Sequence, residues 1–391
     1  MQPIPNSIAA MQPELTEWRR DFHKHPELGY EETRTSGIIA EKLQSWGLDA
    51  VETGIGKTGV VGVLHGKNGP GRAILLRTDI DALPMPEENE TEHASVYDGK
   101  MHACGHDGHL TMLLGAAKHM AETRNFDGTV YFCFQPAEEG GAGAQAMIED
   151  GLFERFPAEE VYGMHNWPGT KAGTFAVRPG PVMASADEFN IVVRGQGGHA
   201  AQPHTTRDPI VAGAQIVNAL QTIVSRKVDP LKPAVLSVTK FQAGTAHNII
   251  PDEALIAGTM RSFHEEVADQ IIEEMKQICQ QVSTAMGVTA TLETSEIAYP
   301  ATVNDEALSE FSKNVLIDLV GEDNVELDRP PTMGGEDFAF MARAKPGSFV
   351  FIGTGEDVAP LHTTKYDFND EISPLGVAYW TKLVETALPA A

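Results

Sequence analysis

The sequence predicts an α/β protein. A catalytic domain built on a mixed, largely parallel sheet flanked by helices is interrupted by an inserted ferredoxin-like α+β domain. Three observations predict it. Short apolar runs bounded by glycine or proline, "GVVGVL" (59–64), "AILLR" (73–77) and "TVYFCFQP" (129–136), read as buried strands. They alternate with segments of helical apolar spacing, which is the pattern of a parallel sheet. Between 188 and 294 the order changes to β-α-β-β-α-β, the split βαβ arrangement. A length of 391 residues also exceeds one comfortable core and suggests two domains.

In chain order, Leu15, Trp18 and Phe22 recur at helical spacing and stop before Pro26, so a first helix fits. Ile39, Leu43 and Trp46 repeat the pattern, with Gly47 as a C-terminal cap. The strands at 59–64 and 73–77 follow. A helix from His109 to Met120 is carried by Leu110, Leu113, Leu114 and Ala117, and leads to the strand that ends at Pro136. The insert opens with the alternating "EFNIVVRG" (188–195) and continues with helical spacing over 208–226. The strands "AVLSVTKF" (234–241) and "ALIAGTMRSF" (254–263), a helix from Glu265 to Met286 and the strand "TATLET" (289–294) complete it. The tail adds a helix near 335–343, the strand "SFVFIG" (348–353) and a last helix after Pro374. The expected catalytic domain is therefore 1–184 with 297–391, and the insert 185–296.

The charge balance is acidic, 29 Lys and Arg against 55 Asp and Glu, a formal net charge of −26. No basic cluster offers a footprint for phosphate, so a nucleic-acid partner is not expected. No run approaches the roughly 18 apolar residues of a membrane span. The first residues lack the basic and apolar regions of a signal peptide. Three scattered cysteines, Cys104, Cys133 and Cys279, suit a reducing compartment, and the expected location is the cytoplasm.

In sheets of this kind ligands gather at the carboxyl ends of the strands. Asp79, Asp81, Glu138 and Glu139 all fall just after predicted strands. Glu138 and Glu139 in "QPAEEGGAGA" are adjacent carboxylates at a strand exit. They repel one another unless a cation or a shared proton compensates. One can ligate a metal while the other takes a proton from water, and the competing reading is a solvated helix N-terminus. The run "MHACGHDGH" (101–109) admits three readings: a metal site, a thiol nucleophile beside a base, or a histidine-rich helix start. Cys104 and His106 can turn toward one point, and thiolate with imidazole suits a transition metal. His102 and His109 fit as support. His165 in "YGMHNWPG" is expected in a loop, and His362 in "APLHTTKYDFND" after one. Taken together these give five ligand-type groups, one more than a single tetrahedral ion needs, and the surplus points to two metals.

The motifs "LLRTDIDALPMPE", "MHACGHDGH", "QPAEEG", "MHNWPG", "GQGGHAAQPH", "GTAHNIIP", "GTMRSF", "GGEDFAFM" and "LHTTKYDFND" resemble, in order, the hippurate hydrolase or N-acyl-amino-acid amidohydrolase subfamily of binuclear metallopeptidases. Bacterial aminoacylases and plant auxin-conjugate hydrolases belong to the same group. The resemblance implies that Cys104, His106, Glu139, His165 and His362 bind two divalent ions drawn from zinc, manganese, cobalt and nickel. It implies that Glu138 is the general base. Asn248 and Arg261 would bind the substrate carboxylate, and His199 from a partner subunit would stabilise the oxyanion. The insert would be the dimerisation domain of a homodimer, and the substrate a small N-acyl amino acid. A dipeptide or N-acetyl-diaminopimelate would fit the same site. Two other classes compete: a Cys104 thiol enzyme, and a metal- or peptide-binding relative without turnover. The sequence departs from related metallopeptidases at Asp79-Ile-Asp81, where they read His-x-Asp with the histidine a ligand. Either Cys104 or His106 then spans both ions. Smaller departures fall at the second glycine of "GGEDF" and at Thr364. His23, His25, His119 and His264 are expected to be structural.

Overall fold

The apolar runs of the amino-terminal half all enter one eight-stranded sheet in the computed structural model, which describes residues 4–295 and 297–390. Its strands are β1 (Ala50–Ile55), β2 (Gly59–His65), β3 (Ala73–Asp79), β4 (Thr129–Gln135), β5 (Glu160–Pro168), β6 (Phe175–Ala176), β7 (Val325–Glu326) and β8 (Gly347–Gly355). The spatial order is β1-β2-β4-β3-β5-β8-β6-β7. The central strands β4, β3, β5 and β8 run parallel. β1 and β2 join antiparallel on one flank, and β6 pairs antiparallel with β8 on the other. β3, β4 and β8 are buried along almost their whole length, which is why each reads as a continuous apolar run.

The parallel centre brings several strand exits to one edge. Asp79 at the end of β3 stands opposite Gln135 at the end of β4, and Arg77 stands opposite Gly163 of β5. The helix His106–Thr123 packs against Gln12–Lys24 and Ser373–Ala387, and every residue from His106 to Ala117 is buried. It begins three residues before the expected start. Gly105 is its N-cap, with φ of 95°, and a Cβ there would lie 2.3 Å from Asn166 Oδ1. Only glycine fits both the backbone and the space.

Four of the eight strands, β1, β5, β6 and β7, escaped the sequence reading. Gly54 and two exposed residues break the pattern of β1, and His165 and Asn166 break the apolar run of β5. His165 therefore lies inside a strand, where a loop was expected. The helix expected near 335–343 is confined to Phe338–Ala344. The helix expected over 208–226 is α-helical only over Pro209–Thr222, with a π-helical turn at Ile223–Lys227.

The chain divides into two compact units, the second comprising Met183–Thr302 and Pro331–Glu336. This second unit contains strands Asp187–Arg194, Ala234–Ala243, Glu253–Ser262 and Thr289–Thr294 and helices Pro209–Thr222 and Glu265–Met286. Every neighbouring strand pair is antiparallel, with Glu253–Ser262 and Asp187–Arg194 central. Ile216 and Leu220 of one helix and Ile271 and Met275 of the other share a core with Phe189, Ile191 and Ile256 of the sheet. The unit extends beyond the expected 185–296. Ala186 and Tyr299 exchange backbone hydrogen bonds at 2.9 and 3.0 Å, and residues 331–336 return so that the Ala184 N–H donates to Thr332 and Gly334.

Candidate metal centre

At the shared strand edge of the first unit, two histidines have one ring nitrogen tied and the other presented inward. His106 Nδ1 donates to Asp81 Oδ1 at 3.1 Å. Its Nε2 is buried without a hydrogen-bond partner, 3.9 Å from Glu139 Oε1. His165 Nδ1 donates to the Asn166 carbonyl at 2.6 Å, and its Nε2 lies 3.4 Å from Cys104 Sγ. His362 Nε2 lies 3.4 Å from the same sulfur and 3.2 Å from Glu139 Oε1. Tying one imidazole nitrogen fixes the tautomer and aims the other, which is how metal-binding histidines are held.

The ligand atoms of Cys104, His106 and His165 all lie within 4.8 Å of one another, as do those of Cys104, Glu139 and His362 and those of His106, Glu138 and Glu139. The five sequence-expected ligands and Glu138 are thus brought together. Burial works against a charged His106, yet Asp79, Asp81 and Glu139 push its imidazole up to about 10. Burial, reinforced by Glu139, Glu138 and Asp79, drives the Cys104 thiol well above its ordinary range. Burial and the neighbouring His109 keep His165 neutral, as a ligand must be. A buried His106 Nε2 without a hydrogen-bond partner, Glu139 Oε1 facing His362 and His106, a thiol and several carboxylates in one cage fit divalent ions.

Local backbone strain marks the same place. Ala137, just before Glu138, has φ of 50°, and His362 has φ of 57°. Side-chain-bearing residues rarely hold such angles, and surroundings must impose them. The His362 N–H donates to the Ala103 carbonyl at 2.8 Å, which pins the carboxy-terminal loop to the Cys104 loop.

Several supporting residues had no role from sequence. Asp79 accepts from His109 Nδ1 at 2.7 Å and from Arg77 at 3.0 Å. Arg77 also donates to Gln135 Oε1 and Asp337 Oδ1, and Asp337 Oδ2 accepts the Ala144 N–H at 3.0 Å, holding the loop after Glu139. The Asn166 N–H donates to His109 Nε2, and the Asn166 amide donates to the Tyr366 hydroxyl. The signal was the charged pair Arg77 and Asp79 inside an otherwise apolar strand. His109 supports the site, whereas His102 is buried with neither ring nitrogen hydrogen-bonded. His23 bonds Asp107 at 2.8 Å, directly behind His106 in sequence. Burial opposes its charge, but Asp107 and Glu87 push it up to about 9.

His199, Asn248 and Arg261 belong to the second unit. His199 pairs with Ile249 across a short antiparallel ladder, and His199 and Asn248 are exposed. The Ala201 N–H donates to His199 Nδ1 at 3.0 Å, which leaves the ring proton on Nε2. Arg261 Nη1 donates to the Met260 carbonyl at 2.8 Å and to the Thr259 hydroxyl.

A profile of the family described as peptidase family M20/M25/M40 matches residues 75–386. The chain is 42% identical to hippurate hydrolase of Campylobacter jejuni over 383 residues, 98% of each protein. It is 41% identical to IAA-amino acid hydrolase ILR1-like 4 of Arabidopsis thaliana, over 92% of this chain and 82% of that one. A Bacillus subtilis crystal structure described as a dinuclear metal binding peptidase of the M20 family superposes with a TM-score of 0.84 at 33% identity, covering 98% of this chain and all of the other.

Proposed function

Since the chain belongs to peptidase family M20/M25/M40, we propose that it hydrolyses the amide bond of N-acyl amino acids, of the hippurate or N-acetyl type, to a carboxylic acid and a free amino acid. The observation that carries this reading is the convergence of Cys104, His106, Glu139, His165 and His362 beside Glu138. Cys104 and His106 each belong to more than one of the ligand clusters, and together these ligands would hold two divalent ions. When bound, they supply an activated water and a Lewis acid for the scissile carbonyl oxygen.

The protein's own groups do the rest. Glu138 takes the proton of the attacking water and returns it to the leaving nitrogen, so that the amine departs neutral. His199, with its proton on Nε2, donates to the developing oxyanion from the second unit of a partner copy. Asn248 and Arg261 hold the substrate carboxylate, for which a guanidinium fork is the matching shape. The proposed compartment is the cytoplasm, where the three buried cysteines stay unpaired. No described helix is long and apolar enough to cross a membrane.

The test is a panel of N-acyl amino acids, dipeptides and N-acetyl-diaminopimelate with protein loaded with zinc, manganese, cobalt or nickel. Turnover of hippurate or N-acetyl amino acids above the other classes is expected. Preference for dipeptides or N-acetyl-diaminopimelate moves the substrate assignment, and no turnover of any member refutes the reading.

Assembly is tested separately. The strand Ala234–Ala243 is an edge of its sheet, and its Phe241 is 40% exposed, beside a helix that also exposes Ile210 and Val211. An edge with apolar neighbours suits pairing with a second copy. Sedimentation at micromolar concentration is expected to give a dimer, and Phe241→Asp a monomer of much reduced activity. A fully active monomer would show that His199 does not act from a partner.

A further inference from the structure

The segment "PELGYEE" (26–32), none of whose residues joins a ligand cluster, is wedged between the loops that follow β3 and β4. Leu28 pairs with Ala82, and the Ala82 N–H donates to the Glu27 carbonyl at 2.8 Å. The Tyr30 hydroxyl donates to the Gly141 carbonyl at 2.6 Å. A Cβ at Gly29 would lie 3.0 Å from both Cα and Cβ of Ala137, so the two backbones touch.

At the end of this wedge Glu32 is fully buried. Its Oε1 accepts the N–H of Ala137 at 2.8 Å, and its Oε2 accepts the Thr58 hydroxyl at 2.6 Å. On the other side of Glu138, Asp81 Oδ2 accepts the N–H of Glu139 at 2.9 Å. The residues on both sides of Glu138 are thus tied through their N–H groups to buried carboxylates. Asp81 also orients His106, so its clamp is shared with the metal cage. Glu32 belongs to none of the ligand clusters among the described residues, and its carboxylate accepts hydrogen bonds from the Ala137 peptide and the Thr58 hydroxyl. A buried carboxylate is costly, and here it holds a peptide whose φ of 50° a side-chain-bearing residue keeps only under constraint.

We propose that Glu32 is a positioning residue for catalysis: by holding the strained Ala137 peptide it fixes the direction from which the Glu138 carboxylate meets the attacking water. Small displacements of a reacting group cost rate without weakening substrate binding. The inference rests on Glu138 being the general base.

Steady-state kinetics of the full, metal-loaded chain test it, with metal content and melting temperature measured on each variant. Glu32→Ala is expected to lower kcat by about 10²-fold, with KM within about twofold of wild type and both ions retained. Glu32→Gln is expected to recover most of kcat, because its amide oxygen still accepts the Ala137 N–H while the Thr58 hydroxyl turns to accept. Thr58→Val, which leaves Glu32 less firmly oriented, is expected to lower kcat alone by a smaller factor, and it decides the matter if Glu32→Ala does not fold. The proposal is overturned if Glu32→Ala keeps wild-type kcat, if its loss follows metal content, if Glu32→Gln is as slow as Glu32→Ala, or if Thr58→Val is unchanged in kcat. Glu138→Gln separates the two readings. A fast Glu138→Gln protein removes the general base itself. A slow one beside a fully active Glu32→Ala protein removes only the positioning role.

Discussion

A Glu138→Ala protein turns over N-acyl amino acids roughly 10²- to 10⁴-fold more slowly than wild type, the range a positioned acid–base group contributes, and still binds two ions. The split follows from the position of Glu138. Its carboxylate shares a cage with His106 and Glu139, yet the ligand cages around Cys104 are complete without it. Removing it therefore takes the proton acceptor and leaves the metal ligands. KM should change little, because the lost interaction belongs to the transition state. Steady-state rates beside metal analysis of the same sample check this, and a Glu138→Ala protein at near wild-type rate would refute the assignment.

Cys104→Ala and His106→Ala are expected to fail in the opposite manner, losing metal and rate together. A metal acting as Lewis acid is worth several kcal/mol, or roughly 10²- to 10³-fold in rate for each ion lost. Chelation of the wild type should abolish turnover, and the divalent ion should restore it. The same measurement separates the thiol-enzyme reading, which requires a reactive Cys104 thiolate and indifference to chelators. In the metal-free site, burial and three carboxylates keep that thiol protonated, so it has no nucleophile to offer. Alkylation of Cys104 should be slow in metal-loaded protein and accelerate little when the ions are stripped.

The clustering of candidate ligands was legible because four of them fall in two short runs, Cys104 with His106 and Glu138 with Glu139. The fold was legible where burial is continuous, as in β3 and β4. It was not legible where function interrupts the pattern. β5 reads as a loop because it carries His165 and Asn166, buried polar residues that meet Cys104, His109 and Tyr366, far along the chain. The Arg77–Asp337 pair joins residues 260 positions apart, and no local spacing announces it. Glu32 looks like one more acidic residue in "GYEE" until Ala137 and Thr58 are folded against it. The return of residues 331–336 to the second unit depends on backbone hydrogen bonds from Ala184, which leave no mark in residue type.

Locating the ions by anomalous scattering in crystals of the metal-loaded protein tests the central claim most directly. Two peaks per chain are expected among Cys104, His106, Glu139, His165 and His362, at bond lengths of about 2.0–2.3 Å. A single peak, a second peak held by Asp79 and His109, or a Cys104 sulfur bonded to neither ion would contradict the two-ion centre built on Cys104.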